Sequence, residues 1–271
     1  MNNLEKKMVD ALQDLRENHH VTGVKAEFEA EGTRLEEALR LKEVVTRAGL
    51  DLTIKIGGCE ALKDMYDARS IGASRIVAPM IETPYALKKY LQAARMVYPK
   101  EERENTSFLV NIETVDGYNN FDRMLSMQDI SELDGIVLGR VDMTGSLGMS
   151  REDINSDAIF DIAHNLLVKA KKYDMECVIG GGVSQHSLPF FRRLPTGTLN
   201  CYETRKVVFN CPGALEEKAG RGILKAVGFE LMWLKNKREF YGLIYDEDKN
   251  RIDMLQSRYD KLIREAGGQY E

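Results

Sequence analysis

Two acids stand just beyond two short apolar runs. Phe108 to Ile112 leads directly to Glu113, and Gly135 to Leu138 leads through Gly139, Arg140 and Val141 to Asp142. Neither run alternates cleanly between apolar and polar residues, which is the pattern of strands covered on both faces. Between them lie a turn at Asp116-Gly117 and a segment, Tyr118 to Met127, with helical spacing. The unit therefore reads strand, crossover helix, strand, and both acids fall at the same end of a parallel sheet. If the strands are neighbours, the carboxylates can meet above it. Two hard oxygen donors with vacant positions suit Mg²⁺ or Mn²⁺ better than zinc, which prefers histidine or cysteine. The plainer reading is that Glu113 and Asp142 cap helices or pair with arginine.

Cations are available at strand ends as well. Lys55 lies in TIKIGG, Arg140 precedes Val141-Asp142, and Arg205 and Lys206 follow Glu203. A substrate carrying carboxylates needs at least one such group beside a metal. Lys55 has a second reading, an ion pair with Glu27 or Glu29 across adjacent strands. The glycines at Gly57-Gly58 and Gly180-Gly181-Gly182 let backbone approach a ligand, although tight turns would also explain them. His164, alone on an amphipathic segment, reads as packing or surface material.

The elements that must position these groups follow a βα rhythm. Strands are expected at Val24 to Phe28, Leu52 to Ile56, Ile76 to Pro79, Phe108 to Ile112, Gly135 to Leu138 and Glu176 to Ile179, with one bent or two short strands in Thr198 to Phe209. In the first of these and the residues just after it, Val24, Ala26, Phe28 and Ala30 share one face while Lys25, Glu27, Glu29 and Glu31 share the other, so the charged face looks onto water, a cation or an open pocket. Helices are expected between the strands. Thr33 with Glu36 can cap one of them, and Thr83-Pro84 opens the long one to Val97. Seven or eight strands, nearly all separated by helices, predict a (β/α)8 TIM barrel that can be modified at its termini. An open doubly wound sheet is less consistent, since no GxGxxG follows the first strand and no GxxxxGK[ST] occurs.

The 271 residues suffice for one barrel-sized domain, and the formal charge of −5 argues against general nucleic-acid binding. No apolar run reaches membrane-spanning length, and the N-terminal MNNLEKKMVDALQDL lacks the core of a signal peptide, so the expected compartment is the cytoplasm. Four cysteines without a CxxC pair are expected to be reduced. The barrel with its N-terminal helix is expected over residues 1–228. A helical C-terminal extension, 229–271, carries an amphipathic stripe that needs another surface to cover it, either this barrel or a partner subunit.

Three stretches together carry a family resemblance: IGASRIVAPMIETP, then LVNIET with Gly117 after it, and DGIVLGRVDMTGSLG. The chain resembles the HpcH/HpaI aldolase and citrate lyase beta-subunit family, one of the barrels that use pyruvate or phosphoenolpyruvate, from about Gly23 to Gly182. The resemblance implies that Glu113 and Asp142 bind Mg²⁺ or Mn²⁺ against the oxygens of a 2-oxo acid. It implies that the backbone of Gly139, Arg140, Val141 and Asp142 receives the substrate carboxylate. Lys55 stands where such enzymes usually have an arginine that steadies the enolate oxygen. FEAEGT, with Gly32, stands where the aldolase branch has a proton-transfer histidine.

The expected function is accordingly a metal-dependent carbon–carbon lyase or aldolase acting on pyruvate, oxaloacetate or a similar acid through an enolate. Lys55 would add positive charge at the enolate oxygen, and Arg205, with the 139–141 loop, would help bind the substrate. The base would be Glu29, Glu31 or a metal-bound water. Two alternatives stand beside this: an acyl-thioester lyase or synthase of the citrate lyase type, and a non-catalytic barrel that binds a small acid. A homo-oligomer is expected, with no nucleic acid or membrane partner.

Overall fold

The charged alternation in the first strand survives into the structure. In the computed structural model, which describes residues 1–268, β1 (Val21–Glu27) buries Val24 and Ala26 completely on one face and Lys25 and Glu27 almost completely on the other. Both faces are covered because the sheet closes on itself. The elements run α1 (Asn3–His19), β1, α2 (Leu35–Arg47), β2 (Asp51–Lys55), α3 (Leu62–Ile71), β3 (Arg75–Ala78), α4 (Pro84–Val97), α5 (Lys100–Arg103) and β4 (Ser107–Asn111). They continue through α6 (Val115–Leu125), β5 (Gly135–Gly139), α7 (Arg140–Ser146), α8 (Asp157–Lys171), β6 (Glu176–Gly180), α9 (Leu188–Arg192), β7 (Cys201–Glu203), β8 (Val207–Asn210) and α10 (Ala219–Glu265).

Strands β1 to β7 pair in parallel, each with the next, and β8 closes the ring between β7 and β1. This is the expected eight-stranded barrel with one alteration. β8 runs antiparallel to both neighbours, because only Thr204 to Lys206 separate it from β7 and a parallel return needs a crossover of a dozen or more residues. The segment Thr198 to Phe209 thus holds two strands.

Caps set several helix starts. The hydroxyls of Thr83, Thr114 and Ser156 accept N–H bonds from Ala86, Gly117 and Ile159, each contributing about 1 kcal/mol. Thr33 does not cap α2, as its spacing suggested. Helix α2 begins after Arg34, whose N–H is accepted by Glu37, while the N–H of Thr33 folds back onto the carbonyl of Glu27.

The helical extension expected from residue 229 is part of one helix that already begins at Ala219. Neither Gly228 nor Gly242 interrupts α10. The chain forms two compact units, Met1–Glu230 and a second beginning at Leu231. Among the described residues no helix is long and apolar enough to cross a membrane.

Candidate active site

The barrel interior is built in layers. Val77, Leu109, Val137, Val178, Cys201 and Val208, one from each of β3 to β8, form a buried apolar cluster. Two residues earlier on β3 and β6, Arg75 and Glu176 pair at 2.8 Å. Two residues later on β4 to β7 come Asn111, Gly139, Gly180 and Glu203, and the period of two keeps them on the same face. Together with Glu27 and Lys55 these are the last residues of β1, β2, β4, β5, β6 and β7, and all line one cavity of about 460 Å³. The cavity therefore sits at the C-terminal ends of the strands, where barrels of this kind carry chemistry.

Glu113 and Asp142 both line it. Glu113 is buried and rigidly held: Asn111 Nδ2 donates to its Oε2 at 2.6 Å and the Met80 N–H to its Oε1 at 3.1 Å. Met80 reaches this place with φ of 49°, a left-handed conformation that costs a non-glycine residue about 1–2 kcal/mol. The same carboxylate explains a glycine. A Cβ on Gly139 would lie 2.4 Å from Glu113 Oε2, so only glycine leaves room. Asp142, in the first turn of α7, is exposed. The N–H of Val115 donates to Ser146 Oγ at 2.8 Å and ties α6 to α7, which keeps the two acids at one rim. Burial raises the pKa of Glu113, the nearby Asp142 charge adds to the rise, and Lys55, Asn111 and Met80 oppose it.

Lys55 pairs with Glu29 Oε2 at 3.0 Å and lies 3.7 Å from Glu113 Oε1. Its two sequence readings are thus not exclusive, since it is both an ion-pair partner and a cavity wall. Burial works against its charge, but Glu113 and Glu29 outweigh it and hold the ammonium above the usual lysine range. Next to it, Lys25 joins Glu203 Oε1 at 2.5 Å to Glu27 Oε1 at 3.0 Å. Here too burial is overcome by the paired carboxylates, and Lys25 remains charged.

Two of the residues expected in the site turn away from it. Glu31 accepts from Lys206 and from the Glu27 N–H, and Arg205 Nε lies 3.7 Å from it, so its carboxylate is committed to the loop after β1 and is not poised as a base. Arg140 sends its side chain into the protein interior, where it is fully buried, and cannot meet a substrate carboxylate. It donates to the carbonyls of Gly180 and Gly181 at 3.1 and 3.0 Å, to Asn155 Oδ1 at 2.7 Å and to Ser187 Oγ at 3.2 Å. It also lies over the rings of Phe190 and Phe191. With no carboxylate beside it, burial pushes its pKa down to about 9. Arg205 lines the cavity but already pairs with Glu27 at 3.3 Å.

Several cavity residues were missed by sequence reasoning. Asn111 could have been found two places before Glu113 in the alternation. Lys25 was read only as part of a charged face, and Glu27 as part of that face or as a partner of Lys55. Arg151 had no signal beyond the turn Ser150 to Asp153; it is exposed, lines the cavity, and makes no ion pair among the described residues.

A model of the HpcH/HpaI aldolase/citrate lyase family matches residues 33–180, more than half of the chain, including β2 to β6 with Lys55, Glu113 and Asp142. The chain belongs to this family. It is accordingly an enzyme of the carbon–carbon lyase and aldolase class, whose chemistry is directed at small carboxylates. Solved structures with the same fold include an HpcH/HpaI aldolase/citrate lyase family protein from Burkholderia cenocepacia J2315, at 15% identity and TM-score 0.56 over 71% of this chain and 89% of that one. An HpcH/HpaI aldolase from Desulfitobacterium hafniense DCB-2 gives 12% and 0.55 over 68% and 77%. The citrate synthase SbnG gives 14% and 0.58 over 86% and 90%. At these identities the likeness concerns the fold. Among curated proteins nothing matches.

Whether this family member's cavity suits a metal can be judged from its charges. Six carboxylates line it, Glu27, Glu29, Glu113, Asp142, Glu203 and Glu230, against four cations, Lys25, Lys55, Arg151 and Arg205. An anionic substrate would enter a site already two positive charges short. Among the described residues no three His, Cys, Asp or Glu side chains gather as a ready-made metal cluster. A hard divalent cation held by Glu113 and Asp142, with substrate and water oxygens completing its shell, fits both the deficit and the donor chemistry.

Proposed function

We propose that the enzyme cleaves or forms a carbon–carbon bond next to a 2-oxo acid, and that Glu113 and Asp142 hold Mg²⁺ or Mn²⁺ for this purpose. The observation that carries the proposal is the convergence of the two acids with Lys55 on one cavity in which carboxylates outnumber cations. When bound, the metal supplies Lewis-acid polarisation of the 2-oxo group. Everything else falls to the chain's own groups. The Arg151 guanidinium and the backbone of Gly139 to Val141 bind the substrate carboxylate, and Arg205 lines the same cavity.

In the cleavage direction Glu29 takes the proton from the hydroxyl on the carbon beyond C3. The C3–C4 bond breaks, its electron pair moves into the enolate, and an aldehyde leaves. Lys55 faces the oxygen on which negative charge grows and remains an ammonium while Glu29 carries the proton, because Glu113 and Glu27 still favour its charge. The proton on Glu29 then passes to C3 and gives the 2-oxo acid. Glu29 suits this role because its side chain is partly exposed at the cavity and its carboxylate, ion-paired with Lys55, accepts no hydrogen bond at Oε2.

The test is exchange of the pyruvate C3 protons in D₂O, followed by NMR with and without Mn²⁺, together with calorimetric titration of Mn²⁺ into wild type, Glu113→Gln and Asp142→Asn. Exchange should require metal, and both variants should bind it at least tenfold more weakly. Exchange only with an acyl thioester present would favour the citrate lyase type of reaction. Unchanged metal affinity in both variants would remove the site.

A further inference from the structure

From Leu231 onward, α10 carries apolar or aromatic side chains at alternating intervals of three and four residues, among them Leu231, Leu234, Tyr245, Ile252 and Leu255. Each of these five is more than half exposed. The spacing averages 3.5 residues, which keeps one seam facing one partner along the helix. Between Leu231 and Leu255 the seam is about 36 Å long at the α-helical rise. So long a row of exposed aliphatic and aromatic groups on a charged helix calls for a covering surface.

The same phase contains two charged residues, Arg238 and Asp248. Neither forms an ion pair among the described residues. In a parallel pair of helices, Arg238 would stack on Arg238 and Asp248 on Asp248, burying like charges together. In an antiparallel pair with its two-fold axis at Leu243, each residue faces the one equally distant on the other side of that leucine. Leu231 then meets Leu255, Leu234 meets Ile252, Tyr241 meets Tyr245, and Arg238 meets Asp248 of the second copy. The seam is self-complementary in this direction alone, as a two-fold interface requires. We propose that this part of α10 is the docking surface for a second copy of the chain, in a two-fold antiparallel coiled coil where Arg238 of each copy pairs with Asp248 of the other.

Basic residues beside the seam, Lys235, Lys249 and Arg251, would also suit an anionic lipid surface. A bilayer, however, offers Asp248 no partner in the middle of the apolar row. A second copy does, and charge complementarity within a seam is what specifies orientation.

The experiment uses the full chain and four variants, Arg238→Asp, Asp248→Arg, the double exchange, and Leu255→Ser, with mass and dissociation constant measured by sedimentation equilibrium. Wild type should contain an even number of copies. Each single charge variant should weaken association at least tenfold, or halve the mass, and the double exchange should restore it to within about threefold of wild type. Leu255→Ser, which touches neither charge, should weaken it too. Circular dichroism should show helix content retained throughout, since all these positions are exposed. A wild-type monomer at micromolar concentration, single variants that associate normally, or a double exchange as weak as its parents would each overturn the proposal. So would a monomer that binds phosphatidylglycerol vesicles through the same face.

Discussion

Lys55 Nζ stands 3.0 Å from Glu29 Oε2 and 3.7 Å from Glu113 Oε1, so a single ammonium links the proposed proton carrier to a proposed metal ligand. β2 ends at this lysine, and its neighbours leave it little freedom. The enolate oxygen and the base are thereby set relative to one another by one side chain.

Lys55→Met should lower the rate of pyruvate C3 proton exchange by about 30-fold to 1000-fold, which corresponds to about 2–4 kcal/mol of transition-state stabilisation. Metal affinity, read by calorimetry, should be kept or increased, because Glu113 loses a competing cation. Exchange within about twofold of wild type would leave Lys55 as an ion-pair partner without a part in the chemistry.

Gly139→Ala should be far more damaging than Gly180→Ala. The backbone of Gly139 lies at φ −86°, open to alanine, but a Cβ there would press to 2.4 Å from Glu113 Oε2 and 2.9 Å from its Cβ. At Gly180 the tightest contact would be 3.1 Å, to Glu203 Oε1. Overpacking of the first kind costs about 1–3 kcal/mol. Urea denaturation and Mn²⁺ titration of both variants check this, and equal effects would mean that Glu113 moves aside freely.

Arg140→Met and Arg140→Lys should both loosen the glycine loop after β6. Methionine removes the donor to the carbonyls of Gly180 and Gly181, and the single nitrogen of lysine cannot reproduce the fork by which Nε and Nη2 serve both. In the methionine variant that loss outweighs the relief of an unpaired buried charge, and each variant is destabilised by about 2 kcal/mol. Because Arg140 acts by positioning, KM should rise more than kcat falls. Wild-type stability in both variants would refute the clasp.

His19, at the end of α1, should make the fold less stable in mild acid. Burial lowers its pKa, the Lys225 and Arg221 charges of α10 lower it further, and Asp14 opposes them. The unfolded chain therefore binds the proton more readily than the folded one, and stability is lost as pH falls below the unfolded value of about 6.5. Denaturation at pH 8 and pH 5.5 should show a smaller difference for His19→Asn than for wild type. Equal differences would count against the histidine.

What the sequence determined by itself was the repeating unit and the place where chemistry could collect. The apolar runs Phe108 to Ile112 and Gly135 to Leu138, with the turn and helical spacing between them, placed Glu113 and Asp142 past adjacent strands, because each of those signals is local and written within a few residues. Tertiary structure decided the rest. Arg140 and Arg205 look alike in sequence, both being cations beside a strand end, yet one is fully buried against glycine carbonyls and the other lines the cavity, since orientation depends on what β6 and β8 bring alongside. Lys25, Asn111, Arg151 and Glu203 come from four separate parts of the chain and meet only when the barrel closes. The unbroken course of α10 was set by helix cooperativity, against glycines that locally favour a break, and β8 reverses because three residues are too few for a crossover.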